Sequence, residues 1–486
     1  MAYKLRSYQE ECVKSISSYI NSDRNDPVLV IGPVGCGKSL LIAEAARLMG
    51  DKTLVLQPSK ELLQQNYDKL TSYGIPATIY SASCGKKELS NMIYATLGSI
   101  KKVVDKLKEM GIRNVLIDEA HAGYSPEDGS EFMTFMNELK PKKVIGFTAT
   151  PCRLKTMSIG QVSYSQLNFI TRMRPVYFKN LIHVIQVEEM IRQGFWTPLK
   201  YEIWDFNGDA LKLNSNGSEY TAGSISEAVR KNGLNNLILR RLMVLKDVCR
   251  SILVFMDSVE SCNTAAEWMN AKICAGMAEV VHGGTPKKQR EAIVEGFKSG
   301  KTKVVFNYSA LGTGFDHPGL DCVIVGRPTF SFSSFYQWLG RAVRIKDGKD
   351  SALVVDCCNN SSRFGDIRKL SIENYKGYGW GMFIGDKLIT NIPMGDKVTK
   401  TDLDIKAAKK DRRRGLAQGV TAAPVPGRPD HPLGSTVMTF GKYCGWMLHS
   451  IPVSYFKFIN ETFDWDNDRN KDIKEYIDFL IKNNRL

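Results

Sequence analysis

Short apolar runs alternating with amphipathic stretches mark most of this chain. In "DPVLVIGPVGCGKSLLIAEAARLM", from Asp26, the pattern predicts a β-branched strand, a glycine-rich turn, and a helix carrying Leu41, Ile42, Ala45 and Leu48 on one face. A second run, Val115 to Ile117 in "RNVLIDEAHAG", predicts a buried strand, and "KKVIGFTATP" predicts a third that ends at Thr148, Ala149 and Thr150. Further apolar runs at Ile252 to Phe255, Val280 to Val281, Lys303 to Phe306, Cys322 to Val325 and Leu353 to Val355 are separated by helical stretches. Such alternation predicts a second, mostly parallel sheet in tandem with the first. Near the end, Ile473, Tyr476, Ile477 and Leu480 share one helical face, so residues 435–486 are expected to hold a small core of their own.

The first sheet carries the clearest chemistry. Gly32, Gly37, Lys38 and Ser39 match G-x-x-x-x-G-K-[ST], with Pro33, Val34, Gly35 and Cys36 filling the turn. Glycines let backbone N–H groups point inward around a β-phosphate, the following helix adds its dipole, Lys38 reaches the β- and γ-phosphates, and the Ser39 hydroxyl takes a magnesium position. The strand at 115–117 delivers Asp118 and Glu119 at its carboxyl end, where sheets of this kind place ligands. Asp118 can hold magnesium through water, and Glu119 can orient and deprotonate an attacking water. ATP and Mg2+ are therefore the expected ligands. The Thr148 and Thr150 hydroxyls either sense that site or cap the next turn.

The second half has no phosphate loop, and a sheet without a cradle is best explained as the other wall of a cleft. In "QWLGRAVR", Gln337, Gly340, Arg341 and Arg344 fall at i, i+3, i+4 and i+7 and share one helical face. Gly340 lets that face approach another surface closely. Arg341 and Arg344 then reach the γ-phosphate as arginine fingers within the same chain.

Composition narrows the partners. The chain has 66 Lys and Arg against 51 Asp and Glu, a net charge of +15, which favours a polyanion: nucleic acid first, an acidic membrane surface second. No apolar run reaches the ~18 to 20 residues of a membrane span, and the N-terminus does not read as a signal peptide, so a cytoplasmic protein is expected. Its 11 cysteines include no CxxC pair, which suits neither a zinc site nor a disulfide framework.

Together these residues resemble the superfamily 2 helicases, whose motifs recur here in order. "LRSYQ" at 5–9 is similar to the Q motif, which implies that Gln9 reads the adenine edge. "QPSKELLQQNYDKL" at 57–70 looks like motif Ia, "DEAH" at 118–121 like motif II, and "TAT" at 148–150 like motif III. "SILVFMDSVESC" resembles motif IV, the stretch holding Thr313, Gly314 and Asp316 resembles motif V, and "QWLGRAVR" resembles motif VI. The resemblance spans about residues 1–360 and implies two RecA-like lobes, ATP hydrolysis, coupling through His121, Thr148 and Thr150, nucleotide contacts from Gly314 and Asp316, and a catalytic role for Gln337. Within the superfamily the motifs look more like the UvsW, restriction-translocase and XPB group than like the DEAH-box RNA helicases. With a Q motif at residue 5, an N-terminal substrate domain such as some of that group carry is not expected.

The expected organisation is a first lobe at 1–195, a second at 196–365, an accessory hairpin and basic linker at 366–434, and a small module at 435–486. Several features stay open between a functional and a structural role. Phe330, Phe332, Phe335, Tyr336 and Trp338 either stack bases or fill the core; Lys287, Lys288 and Arg290 either touch phosphates or solvate a helix. Tyr375, Tyr378 and Trp380 form either a duplex wedge or a packed hairpin, and the "KKDRRR" run is either a DNA contact or a solvated linker. The "FGKYCG" segment resembles a short module appended to DNA-processing proteins of phages and bacteria. The functional expectation is a monomeric DNA motor on forks, D-loops or four-way junctions, with no obligate protein partner; an RNA-dependent enzyme of the same superfamily, a ring-forming protein remodeller and an inactive nucleic-acid scaffold are the alternatives.

Overall fold

The strand Val28–Ile31 is buried along its whole length, and so are Thr53–Leu56, Asn114–Ile117 and Lys143–Thr148. Strands covered on both faces read as unbroken apolar runs, which is why the pattern was legible at "VLVI" and "NVLI". The computed structural model describes residues 4–159, 162–310, 315–407, 431–436, 438–439, 443, 446–462, 465 and 470–484, with backbone alone at 158, 159, 162, 163 and 462. The backbone divides into two units, Met1–Asn374 with Trp380–Val398, and Tyr375–Gly379 with Thr399–Leu486.

The first unit contains both large sheets. The first sheet has the order Asn180–Val184, Val28–Ile31, Lys143–Thr148, Asn114–Ile117, Thr53–Leu56, Met92–Ala95, Thr78–Ser81 and Lys86–Lys87. Every pairing in it is parallel except the last. The second sheet runs Leu199–Ile203, Ala352–Asp356, Cys322–Val325, Ile252–Phe255, Val304–Tyr308 and Ala278–His282, all parallel. This is the two-sheet α/β architecture that the apolar rhythm predicts. In the first sheet Val28–Ile31 lies beside Lys143–Thr148, which is followed by Asn114–Ile117, so the phosphate loop, the Thr148 turn and the Asp118 carboxylate leave from neighbouring strand ends.

Each sheet has a core of its own on one face: Leu29, Ile93, Val115 and Phe132 in the first, Ile252, Val254, Met269 and Ile324 in the second. A third cluster is shared, running from Val30, Leu41 and Phe147 to Phe335, Trp338 and Val343. Trp196, 2% exposed, lies in the connection between the sheets and donates its indole Nε1–H to the Val34 carbonyl at 2.9 Å. Its neighbour Thr197 donates its amide to Val343 O at 2.8 Å and its hydroxyl to Arg344 O at 2.7 Å. The connecting segment is thus tied to the phosphate loop on one side and to the "QWLGRAVR" turn on the other.

Two features depart from expectation. An antiparallel hairpin, Cys152–Ile159 with Val162–Phe169, follows Thr150 and was not anticipated. The helix carrying Gln337 spans Phe332–Leu339 and stops before Arg341 instead of continuing to Arg344. It tightens into i→i+3 turns, with Arg341 N on Trp338 O and Ala342 N on Leu339 O. Beyond it the carbonyls of Ala342 and Arg344 accept from the Lys349 ammonium at 2.7 and 2.8 Å, and those of Val343 and Arg344 accept from Thr197.

Phe332, Phe335, Tyr336 and Trp338 are buried and belong to the shared core, while Phe330 is half-buried. The glycine and aromatic stretch after 370 does form neighbouring strands, Leu370–Tyr375 and Gly379–Ile384. In the second unit, Leu448, Ile451, Phe456, Ile473, Tyr476, Ile477 and Leu480 make the small core predicted for the C-terminal module. The "KKDRRR" run and most of "FGKYCG" lie outside the described residues. Among the described residues no helix is long and apolar enough to cross a membrane.

Candidate active site

The strand Val28–Ile31 ends in a tight turn that opens the helix Lys38–Met49. Gly37 adopts φ +82°, and a Cβ there would sit 2.6 Å from the Gln9 amide nitrogen. Only glycine meets both demands, so the turn can place backbone N–H groups at the helix start. Pro33, Val34, Gly35, Gly37, Lys38 and Ser39 line a cleft of about 370 Å³. Gly32 and Cys36 support it from behind: Gly32 N bonds Thr148 O at 3.0 Å, and Cys36 is buried.

Asp118 and Glu119 enter the same cleft from the strand Asn114–Ile117. Glu119 has φ +46°, a left-handed conformation that non-glycine residues adopt at a cost and that recurs at functional sites. Its carboxylate is ion-paired with the Lys38 ammonium and lies 3.4 Å from His121 Nδ1. Burial works against its charge, but Lys38 and His121 overrule it and hold Glu119 well below the usual carboxylate range. Asp118, 3% exposed, is shifted the other way: burial and then the Glu119 carboxylate push it up. It accepts from the Asn66 amide at 2.8 Å and from Glu119 N at 2.9 Å. Burial also opposes the charge on Lys38, and Glu119 and Asp118 outweigh it to hold the ammonium above its ordinary value.

The second sheet completes the cleft. Gln337, Gly340, Arg341, Arg344 and Asp316 all line it, although the helix ends early. Arg341 donates Nη1 to the Phe315 carbonyl at 2.6 Å, and Arg344 donates Nη1 to the same oxygen at 3.3 Å while ion-paired with Asp316. Burial lowers both guanidinium groups to about 10, with Glu119 opposing at Arg341, so both remain cations at neutral pH. Gly340 packs so closely that a Cβ would meet the Val34 side chain at 2.5, 2.6 and 3.0 Å.

Other expected residues stand behind or beside the cleft. Gln9 lies beside the phosphate loop: its amide donates to Cys36 O at 2.9 Å and accepts from Arg6 N at 3.0 Å, so it braces that loop. Arg6 and Phe195 line the rim, with the guanidinium 4.5 Å from the ring centroid. Thr148 and Thr150 are fully buried, and their hydroxyls approach His121 Nδ1 at 2.8 Å and Nε2 at 3.1 Å. Gly314 and Thr313 lie outside the described residues. Lys287 and Lys288 are exposed, while Arg290 reaches Glu61 at 3.8 Å from the other sheet's side.

Sequence reasoning missed Arg6, Phe195, Trp196, Phe315 and Asn66. Asn66 had a visible signal, since it shares the buried face of the helix Lys60–Thr71 with Leu63 and Leu70, a polar residue in an apolar row. The aromatic pair in "GFWTP" marked Phe195 and Trp196 in the same way, whereas a backbone carbonyl such as that of Phe315 leaves no trace in a sequence.

Fold and cleft define the class: a two-lobed P-loop protein in which both RecA-like lobes line one nucleotide-sized cavity. Residues 2–153 match the family described as "Type III restriction enzyme, res subunit", and residues 235–346 match "Helicase conserved C-terminal domain". The chain is 24% identical over 378 residues to "Putative ATP-dependent helicase IRC3" of Saccharomyces cerevisiae, covering 74% of this chain and 52% of that protein. It is similar in fold to an "ATP-dependent Type ISP restriction-modification enzyme LlaBIII bound to DNA" (TM-score 0.55, 16% identity, 86% of this chain and 30% of that one). A Saccharomyces cerevisiae Dbp5 variant bound to RNA and ADP BeF3 shares the fold at TM-score 0.50 and 15% identity, covering 84% of this chain and 93% of that one. The chain spans about 52–65% of the length of the curated relatives it matches first. It belongs to the superfamily 2 helicases, a family of ATP-hydrolysing enzymes.

Proposed function

We propose that the chain is an ATP- and Mg2+-dependent DNA helicase or translocase that remodels branched DNA such as forks, D-loops and four-way junctions. The observation that carries the motor reading is that Lys38, Ser39, Asp118 and Glu119 from one sheet and Arg341 and Arg344 from the other line a single cleft. The net charge of +15 and a DNA-bound relative of the same fold support DNA as the track.

In this reading Lys38 binds the β- and γ-phosphates, and the base rests near Arg6 and Phe195. Ser39 and Asp118 fit the divalent ion, because a buried carboxylate pair with one ammonium beside it keeps negative charge to offset. Held there, magnesium would supply charge neutralisation to the phosphates. Phosphate oxygens compete with Glu119 for Lys38, which releases the carboxylate to orient water and take its proton. Arg341 and Arg344 stabilise the charge that develops on the transferred group, a role worth about 10³- to 10⁵-fold where an arginine finger has been removed. Because they come from the second lobe, hydrolysis requires closure, and each cycle of closing and opening advances the motor along a strand.

The test is ATPase stimulation across single-stranded DNA, forked DNA, a four-way junction and RNA. Strongest stimulation by forked or junction DNA supports the proposal, and stimulation confined to RNA replaces it with the RNA reading that the Dbp5 likeness favours. Equal rates with and without any nucleic acid would remove both.

A further inference from the structure

The helix Phe332–Leu339 touches the first lobe at both ends. Beyond its last turn Gly340 packs on Val34, and Arg341 faces the cleft. In its first turn, Ser333 crosses to the first lobe, where its hydroxyl lies 3.0 Å from the Thr150 hydroxyl and 3.2 Å from His121 Nε2. These atoms belong to a short chain of polar groups. His121 Nδ1 approaches Glu119 at 3.4 Å and Thr148 Oγ1 at 2.8 Å; His121 Nε2 approaches Thr150 Oγ1 at 3.1 Å; and Thr150 N donates to Thr148 Oγ1 at 3.0 Å. Ser333 is the member contributed by the second lobe.

The geometry points to Ser333 as a positioning residue that lets lobe closure set the orientation of His121, and through it of Glu119. Two physical arguments support the assignment. An imidazole with hydroxyls at both nitrogens has its ring plane fixed by them; Ser333 is one of two at Nε2 and also meets the other, Thr150, so removing it loosens that nitrogen without stripping it of its remaining partner. Closure also brings Ser333 and Arg341 to the first lobe on one short segment, the helix Phe332–Leu339 and the tight turn that follows it, so the carboxylate and the arginine reach their working places together. Ser334, the next residue, differs: its hydroxyl bonds Ser331 Oγ at 3.1 Å within its own lobe.

The inference rests on the proposed nucleic-acid-driven ATPase, and the experiment separates the two. Full-length wild type, Ser333→Ala, Ser333→Thr and Ser334→Ala are assayed for ATPase with saturating forked DNA, and with the same sequence as RNA, over a range of ATP. Ser333→Ala is expected to lower the stimulated kcat about 5- to 20-fold, with KM for ATP within twofold of wild type, because the loss falls on positioning and not on nucleotide binding. Ser333→Thr, which keeps the hydroxyl, recovers at least half of the wild-type rate, and Ser334→Ala matches wild type. Wild-type kcat in Ser333→Ala overturns the inference, as does equal impairment of the Thr and Ala variants or a KM that rises as kcat falls. If wild type itself responds to neither nucleic acid, the underlying motor reading fails and this one with it.

Discussion

Gly340→Ala isolates lobe closure from chemistry, because it adds one methyl group where the second lobe packs against the phosphate loop of the first. That methyl would meet three atoms of the Val34 side chain at 2.5, 2.6 and 3.0 Å. Val34 is β-branched, which makes it stiff, and its carbonyl is held by Trp196, so it has little freedom to retreat. Overpacking of this kind costs about 1–3 kcal/mol. The cost falls on the closed arrangement alone, since separated lobes do not clash, and it lowers the closed population roughly 5- to 150-fold. Stimulated kcat is expected to fall by that factor, while ATP affinity measured by calorimetry stays within about threefold. The double variant Gly340→Ala with Val34→Gly removes all three of those atoms and should restore most of the rate. Full activity in Gly340→Ala, or no recovery in the double variant, would refute the steric reasoning.

Other outcomes follow from the same geometry. Trp196→Phe loses the bond to Val34 O and should cost about 1 kcal/mol in urea unfolding, whereas Trp196→Ala should cost about 3–5 kcal/mol; a loss below 1 kcal/mol for the alanine variant would show that the connection is not packed as described. Asp118→Asn carries a sign that follows from its raised carboxyl. The folded chain holds that proton more readily than the unfolded chain, so the carboxylate lowers stability as pH rises from about 4 through the folded value, and the deficit persists at pH 7. The variant is therefore expected to melt roughly 2 °C or more above wild type at pH 7, with the gap closing below pH 4, while ATPase falls at least about 10²-fold. Asn66 accommodates the new amide by presenting its own oxygen. A lower melting temperature at pH 7 would contradict that sign.

Much of the fold was written in runs such as "VLVI" and "NVLI", since strands buried on both faces need unbroken apolar sequence. The cleft was legible because phosphate chemistry demands particular residues at fixed spacing, and Lys38, Asp118, Glu119, Arg341 and Arg344 do meet there. What stayed hidden depends on contacts rather than composition. Gln9 belongs to a linear motif, but its bonds to Cys36 O and Arg6 N arise only when the folded loop brings them within reach. The helical spacing of Gln337 to Arg344 grouped four residues that do line one cleft, but the helix ends at Leu339 and the chain goes on in i→i+3 turns, a local tightening that side-chain spacing does not reveal. The hairpin at 152–169 followed a motif that drew attention to Thr150, and the alternation in "VSYSQLNF" changes phase at Gln166, which left no clean strand signal.

The most direct test of the central claim, that the second lobe acts on a nucleotide held by the first, is the steady-state ATPase of Arg341→Ala with saturating forked DNA. It is read beside ATP affinity, DNA affinity and melting temperature of the same variant. The expected result is a kcat lowered about 10³-fold or more with both affinities within about threefold of wild type and the fold intact. A kcat within threefold of wild type would contradict the account.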